Sequence, residues 1–242
     1  MRPELPPIHE IWVYLAGMPL FALVLTLAAY SFGVYLYERT GKHPLANPVL
    51  IALMLVATTL TVGELPYQQY FEGAQFVHFL LGTATVSLAI PIFKGWSSLK
   101  GRMAPLVIAM FAGGITSIGV AVGVLTLMGA DHSLVQGMYA KSVTAPIAMG
   151  IAERIQASPT LTAVFAVTTG VLGAVLGRFV FNLLGVSAWW QRGFALGVAA
   201  HGIGTSRAIS VHPVAGIYAS LGMGMHGVIS AVFLPLVFRW AW

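Results

Sequence analysis

Charged side chains are the scarcest feature of this chain. Only 8% of its 242 residues are Asp, Glu, Lys or Arg, whereas 58% are hydrophobic, and the mean hydropathy is +0.86. Soluble domains carry about 25% charged residues because their surfaces are hydrated. Since this chain has too few charges to form a water-facing surface, we predict that lipid covers most of it.

Cysteine is absent altogether, which excludes disulfide frameworks, thiol nucleophiles and thiolate metal sites. The 12 Lys and Arg give a net charge of +5 but stand singly between apolar runs. Nucleic-acid-binding proteins cluster such residues on one face, so we expect no nucleic-acid partner. The sequence also lacks a phosphate-binding glycine loop, a nucleophile elbow and metal-ligand spacing. We therefore expect no enzyme activity, no metal and no cofactor.

Long apolar runs separated by short polar connections make up nearly the whole sequence. They fall at about 11–37, 47–63, 75–93, 103–129, 132–152, 159–184, 188–209 and 213–239. The first run exceeds the ~7–15 apolar residues of a secretory signal, so we expect it to remain as a helix. The runs predict an all-α membrane protein, a polytopic bundle of about seven or eight hydrophobic segments. We expect one integral membrane domain, 1–242, with a short N-terminal tail, 1–10.

The cations predict how the first half is oriented. The first connection carries Arg39 and Lys42, and the third carries Lys94, Lys100 and Arg102. Connections rich in Lys and Arg face the cytoplasm, so we place these two inside and the N-terminus outside. In the second half a simple count puts cations on both sides, at Arg154, Arg192, Arg207 and Arg239. This conflict predicts that some later segments are re-entrant or broken.

Three apolar segments are interrupted by small and hydroxyl-bearing residues, at 81–85, 141–146 and 201–207. Backbone groups freed at such breaks cannot face lipid, so they line a cavity or are buried in protein. Each break also resembles a helix start. Pro146 suits a first helical turn, and the residues predicted to cap the following helices are Thr83, Thr85, Thr205 and Ser206.

Helix N-termini that meet inside a membrane form an anion site, because they present free N–H groups and the positive end of the helix dipole. Lys141 and Arg207 stand beside two of the breaks and would add positive charge. The predicted substrate-binding residues are Gly82, Thr83, Thr85, Lys141, Ser142, Thr144, Pro146, His201, Gly204, Thr205 and Arg207.

Simpler roles stay open for the three ionisable residues. Lys141 would reach the membrane interface or pair with Asp131 or Glu153, Arg207 would only fix topology, and His201 would be a structural hydrogen-bond donor. His78 and His226 also lie within apolar segments, where either would relay protons.

Three glycine pairs with a spacing of four favour close helix packing: Gly119 with Gly123, Gly173 with Gly177, and Gly193 with Gly197. The layout of 83–119, a hydroxyl-rich break followed by a helix with several glycines, also resembles that of 142–177. This similarity predicts an internal repeat.

At the same breaks the sequence resembles the LrgB/CidB family. The stretches FLLGTATVSLAIP (79–91), KSVTAPIA (141–148) and ALGVAAHGIGTSRA (195–208) are similar to its conserved blocks and stand in the same order. The stretch NPVL (47–50) matches the family's entry to the second segment. Three positions depart from the pattern, where Thr83 and Ala140 replace prolines and Ala145 replaces a threonine.

The resemblance implies one of two functions. Bacterial members are described as antiholin-like or holin-like proteins that modulate murein hydrolase export and autolysis with a small LrgA/CidA-type partner. A plastid relative carries glycolate and glycerate, and some bacterial relatives are linked to pyruvate uptake. We expect a secondary carrier of small monocarboxylates in the bacterial inner membrane, with the antiholin-like subunit as the alternative. Self-association into a homo-oligomer is compatible with the glycine pairs.

Overall fold

The structure, a computed structural model, describes residues 19–87, 90, 93 and 101–241, and every regular element in these ranges is a helix. The α-helices are α1 (Pro19–Arg39), α2 (Pro48–Val62), α3 (Tyr67–Ser87), α4 (Met103–Leu127), α5 (His132–Gly137), α6 (Ala145–Arg154), α7 (Pro159–Leu183), α8 (Trp189–Val211) and α9 (Pro213–Ala241). The predicted all-α class is confirmed. The helices fall on the predicted apolar segments, although α3 begins at Tyr67 and not at 75.

Four of the described helices are long and apolar enough to cross a membrane: Leu20–Arg39, Met103–Leu127, Pro159–Leu183 and Pro213–Phe238. Each has at least 20 residues, and a helix needs about 20 apolar residues to cross a hydrocarbon core of about 30 Å. The helix α2 is apolar but has only 15 residues. The chain is therefore a membrane protein.

The contacts divide the chain into two compact units, 1–87 and 88–242. In the first unit, α1 packs against α2 and α3. Asn47 caps α2, because its Oδ1 accepts hydrogen bonds from the N–H groups of Val49 and Leu50 at 2.9 and 3.2 Å. A hydrogen bond of 2.8 Å between the hydroxyls of Thr26 and Tyr70 joins α1 to α3.

The break predicted at 81–85 is wrong. The backbone is helical throughout this stretch, which lies inside α3. Thr83 caps no helix, since its hydroxyl donates to the carbonyl oxygen of Leu80 at 2.8 Å. A threonine bonded to its own helix in this way can remain in a helix interior. Pro91, where this break was predicted to end, lies outside the described residues.

In the second unit, α8 is a helical hairpin and not a single span. Its helical geometry fails at His201, where φ is 41° and ψ is −131°. A straight helix of 23 residues would be about 33 Å long, yet the rings of Trp189 and His212, at its two ends, stack 4.8 Å apart. Gly204 likewise lies against Leu196, where a Cβ would come within 2.7 Å of the carbonyl oxygen. We call this element the second hairpin, with arms 189–200 and 202–211 and its tip at His201.

The helices α5 and α6 form another hairpin, which we call the first hairpin (132–154). Gly137, at the end of α5, packs against Leu161 and Phe165 near the start of α7. The end of α6 is joined to the start of α7 by only four residues, 155–158. The outer end of α6 therefore lies at the start of α7, and the tip is the non-helical stretch 138–144.

The two hairpins enter the second unit from opposite ends. The first starts beside the beginning of α7, whereas the second has its base beside the end of α7, where Gly177 contacts Leu196. The helix α6 and the two arms of the second hairpin have 10 to 12 residues and are about 15–18 Å long, roughly half the hydrocarbon thickness, whereas α5 has only six residues. The non-helical geometry at His201 confirms the prediction that a later segment is broken.

Each hairpin follows one long helix. The unit formed by α4 and the first hairpin therefore has the same order of elements as the unit formed by α7 and the second hairpin, but the two units run in opposite directions. The repeat therefore spans 103–154 and 159–211, and it differs from the predicted pairing of 83–119 with 142–177. Inverted repeats of this kind recur among membrane transporters, where sites form at the interface between the repeats.

Glycines fix the second hairpin against α9. A Cβ on Gly193 or Gly197 would collide with the backbone carbonyl groups of Ala215 and Ala219. A Cβ on Gly222 would come within 2.7 Å of the carbonyl oxygen of Phe194. The predicted packing role of Gly193 and Gly197 is confirmed, because the two backbones meet only where side chains are absent.

Candidate functional site

The two hairpin tips meet inside the second unit. A Cβ on Gly202, just past the second tip, would lie 3.7 Å from the Cγ2 of Thr144, the last residue of the first tip. The helix α6 begins immediately after Thr144, and the second arm begins at Gly202. Two helix N-termini thus start at the same place, as the sequence predicted for the second and third breaks.

The start of α6 has the features of an anion site. Pro146 lies in its first turn, as predicted, and the side chain of Thr144 makes no capping hydrogen bond. The N–H groups of a first helical turn have no partner inside their own helix. Together with the positive end of the helix dipole, they favour an anionic group at this position.

Lys141 lies at the first tip and is held by two serines. Its ammonium group donates to the hydroxyl of Ser117 at 2.6 Å and to that of Ser142 at 3.3 Å. The two hydroxyls are 3.0 Å apart. Within the described ranges no carboxylate pairs with Lys141, so the predicted alternative of a pair with Asp131 or Glu153 is not observed. An ammonium has three N–H donors, which leaves one of them for a ligand.

Ser117 was not identified from the sequence. It lies in the middle of α4, an uninterrupted apolar helix of 25 residues, and nothing in its local pattern distinguishes it from a hydroxyl bonded to its own backbone. Its partner Lys141 lies 24 residues further along the chain. Only the fold-back of the first hairpin brings the two together.

His201 forms the second tip and is almost entirely buried. Its Nε2–H donates to the carbonyl oxygen of Ala166 in α7 at 2.8 Å. The ring fits only because residue 170 is glycine, where a Cβ would lie 2.7 Å from Cε1. A non-glycine residue with positive φ carries about 1–3 kcal/mol of backbone strain, and such strain is concentrated at functional sites.

His226, in the middle of α9, is a third ionisable group at this place. It is buried, and its Cε1 lies 3.0 Å from where a Cβ on Gly114 would be. Gly114 precedes Ser117 by about one turn of α4. His226 also interacts electrostatically with Lys141 and His201, so the three groups form one cluster.

Two cavities adjoin this cluster, and both are bordered by the first arm of the second hairpin. One of about 380 Å³ is bordered by Lys141, Ser117 and Thr169, and one of about 580 Å³ by Gly114 and Ser117. They share Ser117 and Ala199, and the rest of their lining is mostly apolar. Both volumes lie in the usual range of ligand pockets, about 300–1,000 Å³.

The other predicted site residues are placed differently. Thr205 is buried in the second arm, where its hydroxyl donates to the carbonyl oxygen of Ala219 at 3.3 Å. Neither Thr205 nor Ser206 begins a helix, because the second arm starts at Gly202, and that predicted capping role is wrong. Arg207 is buried six residues past the tip, about 9 Å along the arm. Gly204 provides space for Leu196 and Ala200.

Gly82, Thr83 and Thr85 lie in α3 of the first unit. The second unit by itself therefore brings together Lys141, Ser142, Thr144, Pro146 and His201 from the predicted set. To these it adds Ser117 and His226.

A half-buried lysine, two serine hydroxyls and two helix N-termini meet between the hairpins of a helical membrane protein. Residues 26–240 match the model of the LrgB-like family, and the chain belongs to that family. The resemblance predicted from the sequence is confirmed.

Curated relatives extend over nearly the whole chain. The uncharacterized protein YxaC of Bacillus subtilis is 32% identical over 228 residues, which cover 92% of this chain and 96% of that protein. The antiholin-like protein LrgB of Bacillus mycoides is 29% identical over 218 residues, covering 90% and 95% of the two chains. An uncharacterized protein of Haemophilus influenzae is 29% identical over 219 residues, covering 86% and 91%. No solved structure matches the chain.

Proposed function

We propose that the chain is a secondary carrier of small monocarboxylates such as glycolate, glycerate and pyruvate. The meeting of the hairpin tips at Lys141 carries this proposal. A charged lysine at mid-bilayer costs about 2.5–3.5 kcal/mol, and among the described residues it is hydrogen-bonded only to the hydroxyls of Ser117 and Ser142. A bound carboxylate would supply the missing counter-charge.

In this proposal each group at the tips has a role. Lys141 neutralises the carboxylate, while Ser142, Thr144 and the first N–H groups of α6 donate hydrogen bonds to its oxygens. His201 anchors the second tip to α7 and presents the start of its second arm. Arg207 lies too far along that arm for direct contact, so we assign it a supporting charge. The adjoining cavities provide the space that a ligand needs.

The hairpins also support a proposal for the orientation of the second half. One end of the second unit carries three cations, Arg102, Arg178 and Arg192. The opposite end carries Asp131, Glu153 and Arg154. By the positive-inside rule the Arg102 end faces the cytoplasm, which agrees with the side predicted for the third connection. We propose a multi-pass protein of the bacterial inner membrane in which α2, α3 and the two hairpins also lie in the bilayer. The hydrophobic segments then number eight.

The proposal is tested by reconstitution into liposomes. Uptake of labelled glycolate, glycerate and pyruvate is measured with and without a pH gradient, beside protein-free liposomes. We expect saturable uptake of at least one of them, reduced by an excess of the unlabelled others. Protein that is folded, as judged by a single size-exclusion peak and helical circular dichroism, but takes up none of the three contradicts the proposal.

A second function is favoured by the name of several relatives, antiholin-like protein LrgB. In this alternative the chain is a subunit that regulates a holin-like pore with a small LrgA/CidA-type partner. Gly173 and Gly177 already pack within the chain, against Ala200 and Leu196. At Gly119 and Gly123, by contrast, no described atom lies within 4 Å of where a Cβ would be.

The pair Gly119 and Gly123 separates the two functions. Replacing both with leucine would disturb lateral association along α4 while leaving the hairpin tips unchanged. The carrier predicts unchanged uptake in liposomes. The regulatory subunit would be favoured by a different outcome. The wild-type protein would show no carboxylate uptake, and the double variant would lose both co-purification with an LrgA-type protein and the effect on autolysis.

A further inference from the structure

His226 has no role in the site described so far, although it is one of the most deeply buried ionisable residues in the described part of the chain. Only 6% of its surface is exposed, and no hydrogen bond to either ring nitrogen is observed there. Ionisable residues in membrane helices are rare and mark ion or proton pathways.

The position of His226 connects it to the anion site. Its ring lies against Gly114 of α4, about one turn from the serine that binds Lys141, and Gly114 borders the larger cavity. Lys141 and His201 are the ionisable groups that interact with it electrostatically. The elements packed around α9 offer few others: α4 has no ionisable residue, α6 has Glu153 and Arg154 at its far end, and α8 has Arg192 and Arg207 besides His201.

We propose that His226 takes up a proton when the carboxylate binds at Lys141, so that anion and proton cross together. The proposal rests on the function proposed above. The ammonium group of Lys141 opposes a positive charge on the imidazole of His226, and a carboxylate bound at Lys141 offsets that repulsion. Binding of the anion and addition of one proton to an imidazole nitrogen of His226 therefore favour each other. Release of both on the other side restores the neutral ring.

His201 is less suited to this task than His226. Its Nε2–H donates the hydrogen bond to Ala166. Its ring is also packed so closely against Gly170 that a Cβ at that position would displace it. We therefore assign His201 to positioning of the second tip, and the coupling proton to His226.

Calorimetry of carboxylate binding tests the inference. Glycolate, glycerate and pyruvate are titrated into purified protein in two buffers of different ionisation enthalpy, between about pH 5 and 8, the range in which histidine changes charge. The difference between the buffers gives the protons taken up per carboxylate bound. We expect uptake approaching one proton in the wild type, and none in His226→Gln. His132→Gln, at the exposed start of α5, is the control and should behave as the wild type.

Gly114→Ala provides an independent variant, because its Cβ displaces the imidazole without removing it. Its proton uptake should fall between those of the wild type and His226→Gln. In liposomes the wild type should accumulate carboxylate about tenfold per unit of pH gradient, whereas His226→Gln should exchange carboxylates without accumulating them.

The possible failures are distinguishable. Two results would overturn the role of His226 and leave the carboxylate site intact. The first is carboxylate binding without proton uptake in the wild type, and the second is undiminished proton uptake in folded His226→Gln. Failure of folded wild-type protein to bind any of the three carboxylates overturns the proposed function, and this inference with it.

Discussion

The two hairpins have the same topology but are built differently. The first has a six-residue arm, α5, and a non-helical tip of seven residues, 138–144, that carries Lys141. The second turns at the single residue His201, and its first arm lies against the backbone of α9 through Gly193 and Gly197. The first hairpin therefore presents groups that a ligand can use, and the second is a rigid support beside them.

Removing the charge of the first tip should have the largest effect. Lys141→Met keeps much of the length of the side chain but loses the ammonium group, and a hydrogen bond to a charged group contributes about 1.5–3 kcal/mol. We expect uptake to fall about 10- to 100-fold or more, measured as initial rates in liposomes. Lys42→Met, in an exposed connection, should have no effect. Wild-type uptake by Lys141→Met would show that the first tip does not hold the substrate.

Adding one methyl group to the second hairpin should affect stability more than chemistry. In Gly197→Ala the new Cβ meets the backbone of Ala219, and such overpacking costs about 1–3 kcal/mol. We expect the melting temperature of the purified protein to fall by several degrees. Gly123→Ala, whose Cβ would have no described neighbour, is the matched control. Equal melting temperatures for the two variants would mean that the contact with α9 is not tight.

The smallest of these effects should come from Ser117→Ala, which sharpens the comparison within the first tip. It removes one acceptor from Lys141 and leaves Ser142 in place. A hydrogen bond contributes about 1 kcal/mol, so we expect the apparent affinity for carboxylate to fall about fivefold. Thr116→Ala, an exposed neighbour on α4, should leave the affinity unchanged. An equal loss in both variants would point to a general change in α4.

The sequence predicted two of the three breaks because their chemistry is local. Pro146 cannot continue a helix from the preceding turn, and Gly202 and Gly204 follow His201 where two arms must come close. The stretch 81–85 has hydroxyls and a glycine but no proline, and its threonine bonds to its own helix. Hydroxyls in an apolar run therefore do not indicate a break by themselves.

The fold-back of α8 and the positions of Ser117 and Gly114 could not be predicted from the sequence, because they depend on contacts between residues that are distant along the chain. The cations of the second half indicated re-entrant segments, but contacts such as those of Trp189 with His212 and of Gly204 with Leu196 show which segment folds back. Ser117 and Gly114 become part of the site because the first hairpin and α9 pack against the middle of α4. No local pattern in α4 contains that information.

The meeting of the two tips is the central claim, and the absence of cysteine from the chain allows a direct measurement. Thr144→Cys and Gly202→Cys are combined, and disulfide formation is followed by loss of thiol labelling, with and without saturating glycolate. We expect rapid oxidation, because the two side chains would be close enough for a disulfide. We expect slower oxidation when the carboxylate is bound. Failure of the pair to oxidise in folded protein would contradict the account.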